Sequence, residues 1–187
     1  WNVFFQPGDY QAVKPEILLT IFGLAILLLD FLLGRRDKYL NAVTALIGLG
    51  FATAQLVMFW RVLAGRVPYH GFAGAFTLDT FAVYFKLIIA VATAVVVLMS
   101  AKYLEIEETH YGEYYALLLF SAVGMMLMAS GRDLIVLFIS LELMALCEYV
   151  LTGFLRGNRR SNEAAMKFFL LGAFSSGLLL YGMSLLY

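Results

Sequence analysis

Apolar residues run along this chain in six long segments, interrupted by short stretches that hold most of the charged residues. A helix needs about 20 apolar residues to cross the hydrocarbon core of a bilayer, and each segment is close to that length. The pattern predicts an all-α, polytopic transmembrane helix bundle. No part of the sequence shows a pattern typical of β-strands. The predicted spans form a single transmembrane domain over residues 1–187 and cover residues 16–34, 39–63, 78–102, 114–130, 133–155 and 163–187.

The composition agrees with a membrane protein. Of the 187 residues, 63% are hydrophobic and 14% are charged, whereas soluble domains are nearer 45–50% apolar and about 25% charged. The 13 basic and 13 acidic residues cancel, so the charge balance gives no reason to expect a nucleic-acid partner. Cys147 is the only cysteine and His70 and His110 fall in separate loops, which excludes an intramolecular disulfide and a cysteine-rich metal site. Phosphate-loop, flavin and nicotinamide motifs are also missing, so any redox cofactor is expected on other chains.

Basic residues near the span ends predict the orientation, because cytoplasmic loops of membrane proteins carry an excess of lysine and arginine. If both ends of the chain face away from the cytoplasm, the inner connections hold Arg35, Arg36, Lys38, Lys102, Arg156, Arg159 and Arg160. The outer connections then hold Lys14, Arg61, Arg66 and Arg132. This excess predicts that both ends of this chain lie on the non-cytoplasmic side.

The fifth span carries a carboxyl group far from either end. Glu142 lies between Asp133 and Arg156, about 14 Å into the span at 1.5 Å per residue, which is close to the bilayer midplane. A charged group costs several kcal/mol there, and such residues usually face a bundle interior and mark proton or ion routes. Glu142 is therefore the leading candidate for a proton carrier. The alternative is a structural acid that joins two helices through hydrogen bonds.

Two lysines inside the spans are further proton-transfer candidates. Lys86 follows Asp79 by seven residues, about 10 Å into the third span. It either meets a partner in a relay or extends its side chain toward the interface. Lys167 follows Glu163 by four residues, so the two side chains share a helix face and can pair. For Lys167, a relay role and an interfacial position are equally compatible with the sequence.

Glu148 is a weaker candidate on the fifth span. It follows Glu142 by six residues, which places it about 120° away around the helix. Glu148 either extends a relay toward the inner face or meets the basic cluster of Arg156, Arg159 and Arg160, and the sequence slightly favours that second interpretation.

Several strings of residues resemble a known family. They are residues 141–146 (LELMAL), 149–154 (YVLTGF) and 163–182 (EAAMKFFLLGAFSSGLLLYG), with Pro15-Glu16 and Phe85-Lys86 in earlier spans. Together they resemble subunit N of proton-translocating NADH:quinone oxidoreductase (respiratory complex I), an antiporter-like membrane subunit. The resemblance extends along the whole chain, and the strings in spans five and six distinguish subunit N from its sister subunits L and M.

The resemblance implies a fold of about fourteen helices with two inverted repeats, in which a fifth-helix glutamate transfers protons together with lysines on later helices. Glu142 matches that glutamate, and Lys167 matches a lysine of the sixth helix. The implied protein is a non-redox subunit of a translocase in the bacterial inner membrane, with the lipid bilayer and other complex I membrane subunits as obligate partners. Flavin and iron–sulfur centres are expected on other subunits, and quinone and NADH are expected to act only through the complex.

The chain also departs from the family pattern. It ends after six spans, so we expect it to be the N-terminal portion of a longer protein, and Glu148 stands where an uncharged residue is expected. Two alternatives remain open. One is a subunit of a multi-subunit cation/proton antiporter or membrane-bound hydrogenase. The other is a structural membrane scaffold in which Glu142 and Lys86 form only a buried pair.

Overall fold

The structure, a computed structural model, describes residues 7–32, 39–63, 68–106 and 112–186. Within these ranges the elements are α1 (Pro7–Ala12), α2 (Lys14–Leu32), α3 (Tyr39–Leu63), β1 (Tyr69–Gly71), β2 (Phe76–Leu78), α4 (Thr80–Ile106), α5 (Gly112–Ser130), α6 (Leu134–Thr152) and α7 (Arg159–Leu186). Six of the described helices, α2 to α7, are long and apolar enough to cross a membrane, which confirms the predicted six-span bundle. Five residues discussed above lie outside the described ranges, namely Arg35, Arg36, Lys38, Arg66 and His110.

The starts of three spans follow from local chemistry. Pro15 is the second residue of α2, a position where its missing N–H and fixed φ suit the first helical turn. Asp79 precedes α4 and accepts a hydrogen bond of 2.7 Å from the backbone N–H of Ala82. Asp133 precedes α6 and accepts one of 2.7 Å from the N–H of Ile135. Both aspartates satisfy backbone donors that have no partner inside the helix.

α5 lies at the centre of the bundle, where it packs against α2, α3, α4 and α6. The next helix, α7, packs against α6, and none of the residues in its apolar segment is buried within the described chain. Because six spans alternate in direction, α2, α4 and α6 begin at the same face of the bundle where α3, α5 and α7 end. We call this face the cap face.

A small sheet covers part of the cap face, so the expectation of a chain without β structure was wrong. Strands β1 and β2 pair antiparallel and are joined by the turn Phe72–Gly74, whose three residues all have positive φ. Each strand has only three residues, which is too short for alternation to be visible in the sequence. The sheet is fixed to the end of α5 by a bridge between Phe76 and Gly131 and by the hydrogen bond of 3.0 Å from Arg132 N to Ala75 O.

Helix α1 packs on the edge of this sheet. The Tyr69 hydroxyl donates a hydrogen bond of 2.7 Å to Asp9 Oδ1, and this bond raises the pKa of the Tyr69 phenol above its usual value. We refer to α1, β1, the turn and β2 together as the cap. Within the cap, His70 Nδ1 lies 3.1 Å from Thr77 Oγ1 and 3.2 Å from a guanidinium nitrogen of Arg132.

Candidate functional site

Glu142 lies near the middle of α6 and is partly buried. Its Oε1 atom is buried and has no hydrogen-bond partner among the described residues. A polar oxygen removed from water without a replacement hydrogen bond loses free energy of order 1–3 kcal/mol, and more if it is charged. Within the described chain, this oxygen is therefore left without compensation for its removal from water.

The opposite face of α6 is fixed against α5. Ser140 and Cys147 are the buried residues of α6, and Glu142 lies about 160° away from Ser140 around the helix. On the α5 side, a Cβ placed on Gly124 would lie only 2.8 Å from the backbone O of Ser140 and the backbone N of Met144. The two helices thus approach to backbone contact at the level of Glu142, and only glycine fits there.

α7 contacts the other side of α6. Tyr149 follows Glu142 by seven residues, so the two lie on nearly the same helix face. The ring of Tyr149 meets the rings of Phe168 and Phe169 edge-on, with centroids 4.9 and 5.7 Å apart. A Cβ on Gly172 would collide with the Tyr149 hydroxyl, so that glycine makes room for the phenol.

Toward the cap face, α6 and α7 separate around an apolar groove of about 420 Å³. Its lining residues are Leu134, Ile135, Phe138, Leu180, Met183 and Ser184. Glu142 lies between this groove and the Tyr149 contact.

Lys86 is completely buried and pairs with a carboxylate in the first turn of α2. Its Nζ lies 2.5 Å from Oε1 of Glu16, and the two side chains are 0% and 2% exposed. The ammonium also lies 4.8 Å from the centroid of the Phe76 ring, a cation–π distance. The Lys86 side chain therefore ends in a buried ion pair and not at the lipid interface.

The Glu16–Lys86 pair corrects the structural alternative in which Lys86 pairs with Glu142. α5 packs against both α4 and α6 and lies between them, so the two candidates stand on different sides of that helix. One signal for the true partner was present in the sequence. Glu16 and Lys86 are the third and seventh residues of spans that enter from the same face, so they differ in depth by only about 6 Å, which two long side chains can bridge.

Lys167 and Glu148 are not joined to Glu142. Lys167 Nζ pairs with Glu163 Oε1 at 2.6 Å, as the four-residue spacing predicts, and both side chains are largely exposed. Lys167 also lies about 200° around α7 from Ala165, which contacts Gly153 of α6. Glu148 is partly buried, and Arg156 of the neighbouring basic cluster contacts a different carboxylate.

That contact joins Arg156 to Glu113 at 3.6 Å between two exposed side chains.

Among the described residues, no group of three or more histidine, cysteine, aspartate or glutamate side chains is placed to hold a metal ion.

Comparisons with known proteins agree with this architecture. Residues 131–187 match the family described as NADH:quinone oxidoreductase/Mrp antiporter, TM. The chain is 52% identical over 185 residues to NADH-quinone oxidoreductase subunit N 1 of Koribacter versatilis, a match that covers 96% of this chain and 36% of that protein.

Two solved structures share the fold. Respiratory complex I from Thermus thermophilus contains a chain that matches with a TM-score of 0.73 and 31% identity, over 92% of this chain and 36% of that one. An archaeal membrane-bound sulfane sulfur reductase contains a chain that matches with a TM-score of 0.81 and 24% identity, over 94% of this chain and 37% of that one. The chain spans little more than a third of each of these relatives, and over nearly its whole length it is similar to subunit N of NADH:quinone oxidoreductase and to antiporter-like membrane subunits.

Proposed function

We propose that this chain is the first part of a membrane-arm subunit of NADH:quinone oxidoreductase, and that Glu142 is a proton carrier in it. The observation that carries the proposal is the buried Oε1 of Glu142, which has no hydrogen-bond partner among the described residues. The protein would move protons across the membrane while quinone is reduced elsewhere in the complex.

A carboxyl group can perform this task because its two forms differ by one proton. In an apolar bundle the ionised form is costly unless a cation or hydrogen-bond donor is brought near. Glu142 would bind a proton when no cation is close and release it when one approaches. Its position on the α7 side of α6 leaves it accessible to groups carried by later helices, which the family resemblance implies are lysines.

The other candidates take subsidiary places in this proposal. Lys86 would exchange protons at the cap side of the bundle. Lys167, paired with Glu163 on an exposed helix face, would act once its surroundings are completed by the rest of the protein. Glu148 is one turn and a half nearer to the inner face than Glu142 and would extend the route in that direction.

The remaining features of the proposed protein follow from its family. It would lie in the bacterial inner membrane as an obligate partner of other membrane subunits, with both ends of this chain on the non-cytoplasmic side. Flavin, iron–sulfur centres, NADH and quinone would be bound by other subunits. The uncovered surface of α7 would be occupied by the rest of the subunit.

The decisive experiment introduces Glu142→Gln into the full-length parent within the complete complex. Proton pumping in membrane vesicles, NADH oxidation and the amount of assembled complex are measured together. We expect normal assembly with strongly reduced pumping, because the amide keeps the shape of the side chain and cannot carry the proton. Glu113→Gln is a matched control, since Glu113 begins α5 with a side chain that is 53% exposed, and it should pump normally.

Two results would contradict the proposal. Unchanged pumping by Glu142→Gln would exclude Glu142 as a carrier, whereas loss of the assembled complex would favour the structural scaffold. A second candidate function is a cation/proton antiporter subunit, which is favoured by the antiporter named in the family description. Proton transport that requires sodium and proceeds without NADH or quinone would support it.

A further inference from the structure

The Glu16–Lys86 pair forms a closed polar site in the cap-side half of the bundle. Glu16 is the third residue of α2 and Lys86 the seventh of α4, so Lys86 lies about 9 Å below the start of its helix. Apart from each other, neither charged group has a hydrogen-bond partner in the described part of the chain. The Phe76 ring of the cap lies against the ammonium.

Stability does not account for this pair. Removing two charges from water costs several kcal/mol per ion, and the attraction between them offsets that cost only when further hydrogen bonds satisfy the remaining atoms. Here Oε2 of Glu16 is buried without a partner. Apolar side chains of similar volume would fill the same space at comparable or better stability, so the charges call for a functional explanation.

We propose that Glu16 and Lys86 form a second proton-exchange site, in which Glu16 is the direct acceptor for the Lys86 proton. The proton moves from Nζ of Lys86 to Oε1 of Glu16, so one N–H bond breaks, one O–H bond forms, and the nitrogen keeps the electron pair. A charged pair becomes a neutral amine and a neutral acid, with no change in net charge. Either form exchanges a proton with water when the cap gives access past Phe76.

The location of this site relative to Glu142 supports a shared route. Lys86 and Glu142 lie about 9 and 12 Å below the starts of α4 and α6, which begin at the same face. The helix α5 separates them, and its Gly124 contacts α6 at the same level. The two sites thus stand at similar depth on either side of one helix. This inference rests on the proposed function. It adds Glu16 to the proposed proton-transfer residues, as the partner of Lys86.

The test uses two variants, one single and one double, in the full-length parent within the complete complex. Lys86→Arg keeps the ion pair, but a guanidinium does not release its proton in proteins. The double variant Glu16→Gln/Lys86→Met replaces the pair with uncharged side chains of similar size. Lys102→Arg is the matched control, because Lys102 is an exposed lysine on the same helix. Assembly, NADH oxidation and protons pumped per electron are measured for each.

We expect severalfold less pumping per assembled complex in either variant, with Lys102→Arg unchanged. A purely structural pair predicts parental proton-to-electron ratios in Lys86→Arg, and that result in an assembled complex would overturn the proposal. Failure of both variants to assemble would overturn it as well, because the charges would then be required for the structure. Glu142→Gln, measured in parallel, reports separately on the proposed carrier, so the failure of one proposal is distinguishable from the failure of the other.

Discussion

Replacing Gly124 with alanine tests how tightly α5 holds α6. The new Cβ would lie 2.8 Å from two backbone atoms of α6, whereas ordinary contacts begin at 3.4 Å, so the helices must separate by about 0.6 Å. Overpacking of this kind costs about 1–3 kcal/mol, and alanine regains about 0.5–1 kcal/mol of helix propensity relative to glycine. We therefore expect the free energy of unfolding to fall by about 1 kcal/mol, and by no more than about 2.5 kcal/mol.

Thermal unfolding of the detergent-solubilised full-length parent measures this change as a lower midpoint. Gly50→Ala in α3 is the control, because a Cβ at Gly50 has no atom within 4 Å and should leave the midpoint unchanged or raise it. If Gly124→Ala were as stable as Gly50→Ala, the backbone contact between α5 and α6 would not exist as described.

Three further predictions concern polar contacts. Tyr69 donates to Asp9, and its raised pKa means that this contribution to stability is complete below the usual tyrosine pKa of 10.0 and is lost as pH rises through the folded-state value. Tyr69→Phe should remove that alkaline dependence, measured by thermal unfolding across alkaline pH, and an unchanged dependence would assign it to another group. Asp133→Ala removes the N-cap of α6 and should cost about 0.5–2 kcal/mol, whereas Asp133→Asn keeps the acceptor; equal midpoints for the two variants would argue against the cap. Lys86→Met alone leaves the Glu16 carboxyl buried without its cation and should cost about 3–5 kcal/mol. Adding Glu16→Gln to that variant should restore most of the stability in the same assay.

The membrane spans could be predicted from the sequence because hydropathy and span length are properties of local segments. The Lys167–Glu163 pair is local too, since its two residues are four positions apart. The cap could not be predicted in this way, because its three-residue strands carry no periodic signal and form through contacts with Gly131 and Arg132.

The partner of Lys86 also depends on a contact between distant segments. Glu16 is seventy residues earlier in the chain, and its position in the first turn of α2 also suits the positive end of the helix dipole. The helix dipole alone could explain an acidic residue at this position, so there was no local reason to look for its ion pair with Lys86. For Glu142, the sequence predicted an intramembrane carboxyl group but not which face of α6 carries it, and only the Gly124 contact resolves that.

Helix α6 is held differently on its two sides. Gly124 of α5 contacts its backbone on one side, and phenylalanine rings of α7 contact its Tyr149 on the other. Against α5 the backbones already touch, so α6 has no freedom to move in that direction. Against α7 it rests on the rotatable side chain of Tyr149 and on the open groove near Phe138. The contact of α6 with α5 is thus the tighter of its two contacts, and we expect a rearrangement near Glu142 to displace α7 more than α5.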